Sequence, residues 1–214
     1  MDKKRIIVVG STGLVGNQLI IILLNDPSVE SIICLVRREI ESNHPKLTYK
    51  KVDFEKIVTY KSLFKNTSSI LCCIGTTIKK AKSQKNFKYV DYEIPLKVAE
   101  IAYTQGVQSF SLVSSIGANV KASSFYLRVK GLVEKDLKNI GFNRLLIYRP
   151  SLLLGNREEF RLSEFIMIPL FKLFKWFIPR KYHATNSKTL AAMMHKDLDS
   201  SKKDTHIIEA DNIR

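Results

Sequence analysis

Seven residues near the start of the chain, GSTGLVG at 10–16, restrict the folds open to it more than any other stretch. They follow RIIVV, a short apolar run rich in β-branched residues, as expected of a parallel strand buried on both faces. They lead into LVGNQLIIILLN, whose length and apolar density suit a helix ending near Asn25-Asp26-Pro27. Glycines at 10, 13 and 16 between a strand and a helix let the backbone turn tightly, let a pyrophosphate approach it, and let the helix pack on the strand. The helix start then offers unpaired N–H groups to the phosphate charge. Ser11, Thr12, Leu14 and Val15 lie in the same turn and belong to the expected cofactor-binding set, with Gly10, Gly13 and Gly16.

The rest of the chain keeps that rhythm. SIICLV, LTYKKVDF, SSILCCIG, VQSFSLVSS and FNRLLIYRP read as further strands. A weak helix ending in LFKN, a helical stretch NFKYVDYEIPLKVAEIAYTQG stopped by Gly106, and SFYLRVKGLVEKDLKNIG stopped by Gly141 lie between them. Strands alternating with helices imply an α/β fold, a doubly wound (Rossmann) parallel sheet. Hydrophobic residues make up 45% of 214, enough for one domain with a sizeable core. After Pro150 the rhythm changes: SEFIMIPLFKLFKWFIP is long and apolar, SKTLAAMMHKDL looks helical, and THIIEA reads as a last strand. Residues 1–214 are therefore expected to form a single NAD(P)-binding domain, with 151–214 contributing a small C-terminal region that covers the substrate.

The formal charge of +15 allows nucleic acid, an anionic membrane or a phosphate-bearing ligand as partner. The lysines are spread along the chain without an Arg-rich tract, which disfavours nucleic acid and fits a solvated surface. Cys34, Cys72 and Cys73 sit in strand-like runs; adjacent Cys72 and Cys73 point to opposite faces of a strand. Buried free thiols suit a reducing compartment, and a cytoplasmic location is expected. The MDKKRIIVVG start carries charge before an apolar run too short for a signal peptide, and no run is long enough to span a membrane. The four histidines lack ligand spacing, so no metal is expected. Phe165–Ile178 has two readings, a packed or lid segment, or a peripheral membrane-surface helix with Lys172 and Lys175 at its polar edge; the first is favoured.

The end of the second strand selects the dinucleotide. An NAD site places an acidic residue there to bond the ribose hydroxyls. This chain has Arg37 and Arg38, which would attract a 2′-phosphate, so NADP(H) is expected over NAD(H). Glu39, just beyond, counts mildly against that choice. Ile74 and Gly75, after the fourth strand, should pass close under the cofactor. Asp53, after the third, is either an adenine contact or an ordinary turn aspartate. Ser114 and Ser115 end the fifth strand, and Tyr126 and Lys130, four apart on one helix face, follow. A cation beside a tyrosine favours its phenolate, and these side chains can converge on one pocket.

GSTGLVG, the strand-end serines and YLRVK together resemble the short-chain dehydrogenase/reductase superfamily, atypical branch. VDFEK, CCIGTT, FYLRVKG and YRPSLLLGNRE resemble, within it, the Tat-interacting-protein group of NADPH-binding oxidoreductases. The glycine spacing differs from that of ordinary members, and IGTT replaces their asparagine-rich segment. The resemblance implies that Tyr126 is the acid/base. It implies that Lys130 bonds the nicotinamide ribose and lowers the tyrosine pKa, and that Ser115, ahead of Ser114, positions the substrate carbonyl. The implied function is an NADP(H)-dependent oxidoreductase acting on a carbonyl or alcohol. The alternative is an NADP(H)-binding regulatory or sensor protein with little catalysis. A small-molecule substrate is the expected partner; its identity and the oligomeric state are left open by the sequence.

Overall fold

A computed structural model describes residues 3–154, 184–200 and 203–213. Seven strands form one sheet: β1 (Lys4–Val9), β2 (Val29–Val36), β3 (Leu47–Lys51), β4 (Ser69–Cys72), β5 (Ser109–Val113), β6 (Arg144–Arg149) and β9 (Asp204–Glu209). Their order is β3-β2-β1-β4-β5-β6-β9, and every neighbouring pair is parallel. A parallel sheet must be covered on both faces, which explains the unbroken apolar runs. In β1, Ile7 and Val9 join one core cluster, while Ile6 and Val8 join the other. The expected doubly wound parallel sheet is thus the observed architecture.

The first core lies under α4 (Ile94–Thr104) and α5 (Phe125–Ile140), which contribute Val98, Ala102, Val133 and Leu137. The second lies under α1 (Leu14–Leu24) and α6 (Ser187–Lys196), which contribute Leu19, Leu23, Leu190 and Met194. Cys72 belongs to the first and Cys73 packs against the second, as the alternation along a strand requires. Burial pushes the Cys34 thiol up to about 11 and the Cys72 thiol up to about 12, so both stay protonated at neutral pH.

The C-terminal segment is built into this frame. β9 extends the sheet beside β6, and α6 packs on α1. The His195 ring nitrogen lies 2.8 Å from an Asp26 carboxylate oxygen, clasping the end of α6 to the α1–β2 turn. A short parallel pair, β7 (Leu153–Leu154) and β8 (Thr185–Asn186), precedes α6. Phe165–Ile178, for which a lid or membrane-surface role was weighed, lies outside the described residues. Among the described residues no helix is long and apolar enough to cross a membrane.

The helical stretch before β5 is continuous but not uniform. α3 (Gln84–Lys88) passes through one π-type turn, Tyr89–Glu93, into α4. Pro95 sits in the first turn of α4. It has no N–H to give the carbonyl four residues back, at Asp91, and its ring crowds that carbonyl, so the helix widens there. The widened turn directs Asp91 and Tyr92 toward α5, where the Tyr92 hydroxyl donates to Asp136 at 2.8 Å.

Candidate functional site

Between β1 and β4 the sheet reverses its winding direction, and the crevice outside the carboxyl ends of the strands there is where open α/β sheets hold ligands. A cleft of about 940 Å³ occupies this place. Its walls include Gly10 to Gly13, Arg37 to Glu39, and Cys73 to Thr76, with Lys80, Asn86 and Tyr89 at the side.

The glycine turn is constrained by its surroundings. Gly10 has φ +84°, and a Cβ on it would stand 2.6 Å from the Ile74 backbone nitrogen. A Cβ on Gly16 would meet the Gly10 carbonyl oxygen at 2.2 Å, so the bare backbone is what lets α1 press against the turn. Val15 and Gly16 are buried beneath the cleft, in the start of α1. Gly13 caps α1 with no side-chain hydrogen bond to its first N–H groups. Ser11 is 3% exposed, and its hydroxyl faces nothing stronger than the Cys34 thiol. An open helix start beside an under-satisfied buried hydroxyl fits a phosphate-bearing ligand. Thr12 and Leu14 complete the turn.

At the other end, Arg37 and Arg38 are exposed and have no carboxylate partner among the described residues. Glu39 is engaged by Lys51, with Nζ to Oε1 at 3.2 Å, which offsets the acidic residue in the arginine cluster. Lys51 was not singled out from the sequence; it stands in β3, paired with Val36 of the neighbouring strand. Asp53 caps the turn that follows β3, accepting the Glu55 N–H at 2.9 Å. It also lines an adjoining hollow with Arg37, Phe54 and Tyr89.

Ile74 and Gly75 line the cleft. Beneath Gly75 lies the Lys130 ammonium, 3.8 Å from where a Cβ would stand. Lys130 is 4% exposed and pairs with Asp91, 1% exposed, at 2.8 Å. Burial pulls the lysine pKa down, but the Asp91 carboxylate outweighs it, with Tyr126 and Cys72 adding to the rise, so the amine stays charged. Asp91 was also missed in reading the sequence. Its only signal was Pro95, four positions on within a helical pattern.

Tyr126 is half-buried in the first turn of α5, its ring 5.5 Å from that of Phe87. The two serines diverge. Ser114 is buried, and its hydroxyl donates to Glu134 at 2.5 Å. Glu134 in turn receives Arg149 through Nε at 3.0 Å and Nη2 at 2.6 Å. Ser115 is half-buried, and among the described residues its hydroxyl reaches only the neighbouring Ile116 carbonyl, at 3.3 Å. Ser114 is therefore committed to the structure, whereas Ser115 keeps a hydroxyl available. Glu134, also unforeseen, follows Lys130 by one helical turn.

The HIM1 family model matches residues 28–177. The chain belongs to the HIM1 family. Protein HTATIP2 of Rattus norvegicus is 34% identical over 169 residues, 78% of this chain and 69% of the relative. Protein FMP52-1, mitochondrial, of Scheffersomyces stipitis is 39% identical over 153 residues, 71% of this chain and 68% of the relative. The resemblance to the Tat-interacting-protein group therefore holds. Among solved structures, MoeE5 in complex with UDP-glucose and NAD superposes with a TM-score of 0.73 at 14% identity, over 95% of this chain and 74% of that one. A short-chain dehydrogenase/reductase superfamily protein from Agrobacterium tumefaciens with bound NAD gives 0.72 at 15% identity, over 96% and 77%. At that identity the likeness establishes the fold, a Rossmann sheet.

One expectation is overturned. The cytoplasmic placement does not stand, because several fungal relatives are named mitochondrial. Free thiols in a reducing compartment do not single out the cytoplasm.

Proposed function

We propose that this HIM1-family protein is an oxidoreductase that uses NADP(H) to interconvert a carbonyl and an alcohol, with Tyr126 as proton donor and acceptor. The observation that carries the reading is the Lys130 ammonium beneath Gly75. It joins the glycine-lined cleft to the helix that bears Tyr126. The names of two structural neighbours, each with bound NAD, support a nicotinamide cofactor, and the open arginine pair supports the 2′-phosphate form.

A bound nicotinamide would supply hydride transfer; the chain's residues supply position and a proton. The turn at 10–16 and the start of α1 would receive the pyrophosphate. Arg37 and Arg38 would hold the adenosine phosphate, and Lys130 the nicotinamide ribose. Ser115 would orient the substrate oxygen, and the Tyr126 hydroxyl would exchange a proton with it. A mitochondrial location is proposed from the naming of the fungal relatives.

The test is a screen of aldehydes and ketones for NADPH consumption, followed by Tyr126→Phe. Turnover should fall about 10²–10⁴-fold with cofactor affinity little changed. Near-normal turnover by Tyr126→Phe refutes the catalytic assignment. Tight NADPH binding without turnover across the screen favours a regulatory cofactor-binding protein instead.

A further inference from the structure

We infer that Asp91 is a positioning residue for the cofactor cleft: it holds the Lys130 ammonium charged and fixed beneath Gly75, and the same carboxylate pins the cleft floor. This rests on the dinucleotide reading of the cleft.

Both ends of the carboxylate are used. Oδ1 stands 2.8 Å from Lys130 Nζ, and Oδ2 accepts the Thr76 N–H at 2.8 Å. Thr76 walls the cleft, and Gly75 is the bare residue above the pair. A Cβ at Gly75 would lie 3.4 Å from Asp91 Oδ1 and 3.8 Å from Lys130 Nζ. The ion pair therefore lies directly against Gly75, which lines the cleft. A buried ammonium without a counter-charge gives up its proton. The groups that face Lys130 are Asp91 from the π-type turn, Tyr126 from α5 and Cys72 from β4. The Cys72 thiol stays protonated well above neutral pH, which leaves Asp91 as the counter-charge at ion-pair distance. The pair is already made in the unliganded protein, so ordering the lysine costs nothing when a ligand arrives.

The experiment uses the full chain and three variants: Asp91→Asn, Lys130→Met and the double. Asparagine keeps an acceptor for the Thr76 N–H and removes the charge. In the unliganded protein each single change should lower the melting temperature, and the double should recover most of the loss. Asp91→Asn orphans a cation, Lys130→Met orphans an anion, and the double leaves neither. The Asp91→Asn deficit should also narrow with rising pH. Without its partner the folded lysine titrates below its unfolded value of about 10.4. The unfolded chain then binds more protons between the two values, so stability of the variant rises with pH across that window. The unaltered protein, whose lysine titrates above the unfolded value, keeps the pair's contribution throughout it.

Fluorescence titration at pH 8 supplies the functional readout. NADPH affinity should fall about tenfold in Asp91→Asn, the size of a lost charge-assisted hydrogen bond. Equal thermal effects of Asp91→Asn in both backgrounds, or unchanged NADPH affinity, overturn the inference. If the unaltered protein binds neither NADPH nor NADH, the dinucleotide reading falls and takes the positioning role with it. The thermal cycle then still reports whether the ion pair exists.

Discussion

Glu134→Ala removes the centre of a buried polar network, and its effect on stability can be worked from the contacts. The Glu134 side chain is 3% exposed, accepts the Ser114 hydroxyl, and receives two guanidinium nitrogens of Arg149. Removing one partner of a buried ion pair costs about 3–5 kcal/mol, because the other charge is left behind. Here Arg149 has recourse. Its side chain is 19% exposed, it bonds Glu209 at 2.8 Å, and it donates to the Ala118 carbonyl at 3.2 Å. That places the charge loss near the low end, about 3 kcal/mol. The orphaned Ser114 hydroxyl adds about 1 kcal/mol. The sum, roughly 4 kcal/mol, corresponds to a drop of about 8–16 °C in melting temperature for a chain of this size. Urea unfolding at neutral pH reads it directly, as a lower midpoint with an unchanged slope. Glu209→Ala removes the exposed end of the same network and should cost under about 1 kcal/mol. A Glu134→Ala loss below about 1 kcal/mol refutes the reasoning, since the buried carboxylate would then not be what neutralises Arg149.

Two further outcomes concern the cofactor. Replacing Arg37 and Arg38 together with alanine should weaken NADPH binding by about 10–100-fold, the loss of one or two charged hydrogen bonds, and change NADH binding much less. Equal calorimetric affinities of the unaltered protein for NADPH and NADH reject the 2′-phosphate assignment. Gly13→Val tests the phosphate position. A Cβ there meets only the Gly10 carbonyl oxygen, at 3.2 Å, and a second atom at 4.0 Å, so the fold should persist while the branched side chain fills the space above the helix start. Loss of dinucleotide binding with a retained circular-dichroism spectrum is expected; unchanged affinity places the phosphate elsewhere.

What the sequence determined by itself was local in origin. Turn chemistry at Gly10–Gly16, β-branched apolar runs and helix-stopping glycines at 106 and 141 follow from backbone sterics and side-chain periodicity among near neighbours. They suffice for a doubly wound parallel sheet, for the place of its ligand crevice, and for the arginines at the end of β2. The tertiary structure decided which charged groups meet. Helical spacing alone set Lys130 beside Tyr126, but its counter-charge was fixed only when the crossovers brought it against Asp91, and the Pro95-widened turn turned that aspartate inward. Position at the strand end did not tell Ser114 from Ser115, and only family resemblance favoured Ser115, until Glu134 claimed Ser114. Glu39 weighed against a phosphate site until the neighbouring strand supplied Lys51. Each of these pairings joins residues on different elements. A parallel sheet separates its neighbouring strands by whole crossovers, so their partners are fixed by strand order and register, which no local pattern in the chain records.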